Sequence, residues 1–368
     1  ENYEAAAAHF EHAATLRPIY AFEDEGIREQ AWIMLYQQAI PLVNAGDYEP
    51  AIELFESANA IFASRPEGMV TLAQLYAQTR DHDKALANMD AALVIINSDK
   101  ITEMDSATVV AWQTQAADLP LLRAQVLADA GRFEEAAVAF RAIADEHPDD
   151  LLALRNLAGI LIQMGNEAEA FEVYDDLMTR PGLTSGDFYT IGVGFYMGSA
   201  YTRAAAAFEG AVRLSAKDRD AIEMWTRSLQ LDSAYAAIPG VGERWIQLDP
   251  NNQNAYLIMA QATNINGDED RARELIGAID GLAVDVKDLQ IARRSDGGAT
   301  VSGSVINKTL EQGTSVTLIF TLYTAAGDVM GTVEHRVTVG ATAMAEVFQV
   351  NFDSADRIGG YGYTLSVG

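Results

Sequence analysis

The feature of this chain that most restricts its fold is a recurrence. Small or aliphatic residues stand at Ala51 and Ala85, and then at Ala136, Ala170, Ala204, Ile238 and Ala272, with a step of 34 residues inside each group. Four residues after most of these positions comes a large apolar residue, Phe55, Met89, Phe140, Tyr174, Phe208 or Ile276, with Gly242 as the exception. Seven after come Ala58, Ala92, Ile143, Leu177, Ala211, Trp245 and Ile279. Spacings of four and three put these side chains on one helical face. A turn containing Gly or polar residues precedes most anchors, as in Gly46-Asp47-Tyr48, Gly131-Arg132-Phe133 and Gly267-Asp268-Glu269. Before each turn lies a second recurrent set, such as Leu154, Leu157, Ala158 and Leu161, or Phe188, Ile191, Gly192 and Phe195. Each unit is therefore predicted to be a helical hairpin, with a small residue where its helices cross.

This pattern resembles the tetratricopeptide repeat, whose 34-residue unit has a large-small-aromatic first helix and an Ala-x-x-x-Phe second helix ending near Pro. Pro18, Pro148 and Pro250 match that terminal proline. The segment from Asn2 to Pro18 resembles a second helix without its first, so the chain is expected to begin within a repeat. The resemblance implies an α-solenoid over residues 1–283, about seven and a half units, with extra lengths near 19–35 and 97–118. The first insertion could lengthen a helix, and the second is expected to hold both loop and helix. Its Trp112 is either locally packed or a contact for a partner. Pro239, Gly240 and Gly242 are expected to interrupt the seventh unit's second helix.

Beyond Leu282 the composition turns to Val, Thr and Gly, and helical period gives way to alternation. Val316, Leu318, Phe320 and Leu322 alternate with Thr317, Ile319, Thr321 and Tyr323, which predicts a central strand. Further strands are expected over 287–293, 299–307, 329–339, 343–352 and 360–367, divided by turns such as Asp296-Gly297-Gly298 and Ala326-Gly327-Asp328. Residues 284–368 thus have the size and pattern of a small β-sandwich. Gly303–Asn307 and Phe320–Gly327 resemble the FxLYD family of immunoglobulin-like domains in bacterial envelope proteins, with Thr324 where that family has Asp.

The chemistry available is narrow. A net charge of -28 over 368 residues repels phosphate backbones and anionic lipid surfaces, so nucleic acid is excluded as a partner. From Asp285 onward there are six basic and nine acidic residues, so nearly all the acidity belongs to the helical part. The absence of Cys removes thiol nucleophiles and Cys-ligated metals. No run of 18 apolar residues is present to span a membrane as a helix. No phosphate loop, His-Glu-x-x-His or Gly-x-Ser-x-Gly occurs, and no catalytic, metal or cofactor residue is assigned.

What remains is surface. In the repeat family the first helices line a concave face, and the matching positions include Leu152, Arg155, Ile162, Tyr189, Val193, Tyr196, Glu223, Arg227, Leu257, Gln261 and Asn264. Tyr189 and Tyr196, seven apart on one helix, are the expected anchors for an extended or helical segment, with Arg155 and Arg227 as orienting charges. The alternative is that the chain's own sandwich or insertion fills this groove. The expected function is a non-enzymatic protein–protein interaction scaffold with protein or peptide partners, in a periplasmic or envelope setting. The other readings are an extrinsic subunit of a membrane-embedded complex and a regulatory part of an enzyme with an upstream catalytic domain.

Overall fold

The computed structural model describes residues 3–294 and 298–368, so Asn2 and the Asp296-Gly297 part of the expected turn lie outside the described residues. The chain forms two compact units, residues 1–166 and 167–368. The change from helix to strand falls between Asp280 and Val284. The last helical hairpins and all the strands thus share the second unit.

The first unit contains α1 (Tyr3–Leu16), α2 (Ile19–Glu23), α3 (Glu25–Ala45), α4 (Tyr48–Ile61), α5 (Pro66–Gln78), α6 (His82–Ile96), α7 (Ser106–Asp129), α8 (Phe133–Glu146) and α9 (Leu151–Gln163). The anchors Ala51, Phe55 and Ala58, Ala85, Met89 and Ala92, and Ala136 and Phe140 are all buried. The first insertion becomes α2 and the long α3, which carries Pro41 inside it. The second becomes a short 3-10 helix, Asp99–Glu103, and the early turns of α7.

The second unit contains α10 (Glu167–Thr179), α11 (Ser185–Met197), α12 (Tyr201–Leu214), α13 (Arg219–Leu231), α14 (Ile238–Leu248), α15 (Gln253–Ile265) and α16 (Glu269–Asp280). Gly192 of α11 faces Phe208 of α12; a Cβ there would stand 2.7 Å from the ring, so the crossing requires glycine. Pro239 and Gly242 do not interrupt α14, contrary to expectation. The helix starts late, with Pro239 in its first turn where no N–H bond is lost, and Gly242 lies against Met259 of α15.

The repeat also fixes the backbone at both ends of its helices. Asp150, Thr184, Asp218 and Asn252 follow one another at the repeat interval, and each side chain caps a first helix by accepting a backbone N–H. Gly46, Gly131, Gly165 and Gly267 turn the chain with left-handed φ, and Arg80, Ser199 and Ser233 hold the same conformation at equivalent places.

Six strands follow: β1 (Val284–Arg293), β2 (Ala299–Asn307), β3 (Ser315–Tyr323), β4 (Val329–Thr338), β5 (Ala345–Phe352) and β6 (Gly360–Val367). They make two antiparallel sheets, ordered β1-β2-β5 and β4-β3-β6. β3 is the expected central strand. Its Val316, Leu318, Phe320 and Leu322 are buried, and Phe320 meets Phe348 and Phe352 of the other sheet at ring distances of 5.9 and 6.0 Å. Alternate strand residues from both sheets thus share one core.

Candidate functional site

Within the second unit the sandwich rests on the N-terminal turns of α13 and α15 and on the loops before them. Arg219, the first residue of α13, is enclosed. Its Nε donates to Asp249 at 3.0 Å, and its Nη1 donates to Asp220 and to the Leu289 carbonyl of β1, each at 3.1 Å. Asp249 also accepts from Tyr363 Oη at 2.9 Å and from Asn252 Nδ2 at 2.8 Å. Asp220 accepts from Tyr361 Oη at 2.7 Å and from the Ile291 amide at 3.0 Å. One loop earlier, Ser215 donates to the Gly359 carbonyl at 2.7 Å, and Arg293 of β1 pairs with Asp218 at 2.9 Å. Gly360 has no room for a Cβ, because the Lys217 carbonyl lies against it.

Burial sets the electrostatics here. Desolvation works against the Arg219 charge, but the carboxylates of Asp249, Glu223 and Asp220 outweigh it and hold its pKa well above the ordinary arginine value. Desolvation, helped by neighbouring carboxylates, raises the Tyr361 and Tyr363 hydroxyls, so both remain neutral donors. Burial also raises Asp218 despite Arg293.

Next to this junction is a cavity of about 390 Å³, walled by Tyr189, Glu223 and Arg227 on the helical side and Lys287, Asp288 and Gln290 of β1 on the other. Tyr189 is therefore not an open groove anchor: burial, followed by the charges of Asp220, Asp218 and Glu223, pushes its hydroxyl up to about 12. Arg227 is not a free orienting charge either. Its Nε donates to Glu223 at 2.7 Å, and its guanidinium lies 5.6 Å from the Trp245 ring centre. The sandwich covers this stretch of the first helices, which was the alternative outcome for the groove.

Farther along the same helices the side chains are uncovered. Val193 and Tyr196 of α11 are half-buried, with Tyr196 edge-on to Tyr201 at 5.5 Å. Gln230 of α13 donates to Gln261 of α15 at 2.7 Å, and Leu257 and Asn264 are exposed. Leu152, Arg155 and Ile162 lie on α9 in the first unit, Leu152 exposed and the others half-buried. Trp112 is corrected as a partner contact: it is buried within α7's packing, and its indole N–H donates to Glu67 at 3.0 Å.

Residues 121–181 match the family model described as Tetratricopeptide repeat. Among solved structures, the C-terminal part of a TPR repeat-containing protein from Cytophaga hutchinsonii is 19% identical, with a TM-score of 0.52 over 67% of this chain and 95% of that one. The helical part has a solenoid fold like that of tetratricopeptide repeats. A tetratricopeptide repeat protein from Parabacteroides merdae is 15% identical, with a TM-score of 0.44 over 69% of this chain and 93% of that one. No curated protein matches the chain.

Sequence reasoning missed the residues that join this helical array to the sandwich. Arg219, Asp220, Asp249, Tyr361 and Tyr363 belong to no recurrent set, so periodicity passes over them. One local signal was present: Arg219 puts a positive charge in a helix's first turn, where the helix dipole disfavours it. Such a residue is expected to have carboxylate partners outside its own helix, as Arg219 does in Asp249.

Proposed function

We propose that this chain is a non-catalytic interaction scaffold that receives a protein segment along the later turns of α11, α13 and α15. The observation that carries this reading is the row left uncovered by the sandwich, where Tyr196, Gln230 and Asn264 hold the same repeat position of successive first helices, 34 residues apart, and Gln230 bonds Gln261. An aromatic and aliphatic pair on one first helix and paired amides on the next ones suit a segment that inserts an apolar side chain and offers backbone or amide hydrogen bonds. Tyr196 takes the anchoring role expected earlier of both tyrosines. We extend the proposal to the bacterial envelope, supported by the resemblance of Phe320–Gly327 to an envelope domain family; fractionation of cells making the full-length gene product tests that location.

A photo-crosslinking residue at position 193 would capture the partner in cells, and the purified partner would then be titrated. Tyr196→Ala is expected to weaken binding about thirtyfold, the equivalent of about 2 kcal/mol. Glu172→Ala, on the exposed face of α10, is expected to change nothing. Equal affinity in the two variants would remove this row as the partner site.

A further inference from the structure

The repeat interface recurs through the second unit and then stops open. In α10, Phe171 and Tyr174 meet Phe195 of the following first helix, α11, at 5.5 and 5.3 Å, and Tyr174 is 2% exposed. The equivalent Phe208 of α12 is fully buried, and the equivalent Gly242 of α14 is closed by Met259 of α15. At the fourth recurrence the position is Ile276 of α16, and it is 45% exposed. Leu257 on the paired helix α15 is 41% exposed. Between them lies an open depression of about 500 Å³ lined by Leu257, Ala260, Gln261, Ala272, Arg273 and Ile276. After α16 the chain enters β1 at Val284, so the next element is a strand paired with β2 and not a helix that could fill the depression.

We infer that this depression is a docking site for an amphipathic, basic-flanked α-helix of a partner protein, seated where a further first helix of the array would lie. The shape follows from the repeat: the same two-helix face accepts a helix bearing large apolar and small residues at each earlier recurrence, as with Ile191, Gly194 and Phe195 of α11. The charge follows from the rim. The hairpin 253–280 carries five acidic and two basic residues, so it stays net acidic although its exposed Glu274 pairs with Arg271 and its exposed Glu269 and Asp270 with Arg273. Lys or Arg flanking the apolar ridge of the incoming helix would complement them. This site rests on the scaffold reading and shares Gln261 and Asn264 with the proposed row, but its apolar wall is Leu257 and Ile276 rather than Val193 and Tyr196.

The probe is a labelled synthetic peptide of residues 184–199 carrying Thr190→Lys and Met197→Lys, both at exposed positions of α11. It would be titrated by fluorescence anisotropy into the intact chain, Ile276→Asp, Leu257→Asp and Tyr196→Ala. Saturable binding is expected, weakened at least tenfold by Ile276→Asp and Leu257→Asp and unchanged by Tyr196→Ala. A peptide with Glu at the two substituted positions is expected to bind more weakly than the Lys form. Absence of saturable binding to the intact chain, or equal binding to Ile276→Asp, overturns the inference. Loss with Tyr196→Ala but not Ile276→Asp also overturns it, while leaving the proposed row intact.

Discussion

Two kinds of contact hold the second unit together, and they differ in chemistry. Between α11 and α12 the contact is apolar and steric: Gly192 admits the Phe208 ring, and Tyr189 packs edge-on to the same ring at 5.5 Å. Between the array and the sandwich it is polar and enclosed: Arg219 and Tyr363 both donate to the fully buried Asp249. The first kind tolerates repetition, because any hairpin with a small residue opposite a large one can stack on the next. The second does not. A buried charge pair is weak evidence of net stability, but losing one partner strands the other in a medium that cannot solvate it. The helix stack therefore builds length, and the ionic junction fixes one particular position for the sandwich.

The largest expected effect breaks this contrast at its polar end. Arg219→Ala leaves the fully buried Asp249 and the half-buried Asp220 without their cation, and should lower stability by about 3–5 kcal/mol. Thermal melting would register the loss, and limited proteolysis should then cut between α16 and β2. If the variant melted like the parent and resisted protease, the junction would not be holding the sandwich.

A smaller effect tests the apolar end. Gly192→Ala adds a methyl group against a fully buried ring, and overpacking should cost about 1–3 kcal/mol, more than the roughly 1 kcal/mol that alanine adds in helix propensity. Urea denaturation would give the sign. A stabilised variant would mean that the α11–α12 crossing has slack and that glycine is not needed there.

The smallest effect concerns the turns. Ser233 holds a left-handed φ of 60°, at the place where Gly165 and Gly267 stand in other repeats. Ser233→Gly should relieve side-chain strain and stabilise by about 0.5–1 kcal/mol, partly offset by the greater freedom of glycine in the unfolded chain. A fall in the melting temperature would show that the serine is held there by something other than the repeat's turn.

What repeats was legible in the sequence. Helical hairpins, their buried anchors, the six strands and the central position of β3 could all be read from periods of 34, 3.6 and 2, because each period reports a face that must be buried. The sequence also contained, unread, the N-caps Asp150, Thr184, Asp218 and Asn252 and the turn positions, which follow the same interval. Tertiary structure alone decided where the sandwich sits. That placement depends on residues distant in sequence, such as Arg219 with Asp249 and Tyr361 with Asp220, meeting at one junction. It is why Tyr189, a groove residue by position, is covered by β1, while Tyr196, seven residues on, lies beyond the sandwich's reach. Periodicity reports which face of a helix is buried; it does not report whether a distant domain will cover the exposed face, because that depends on individual charge and hydrogen-bond partners that occur only once.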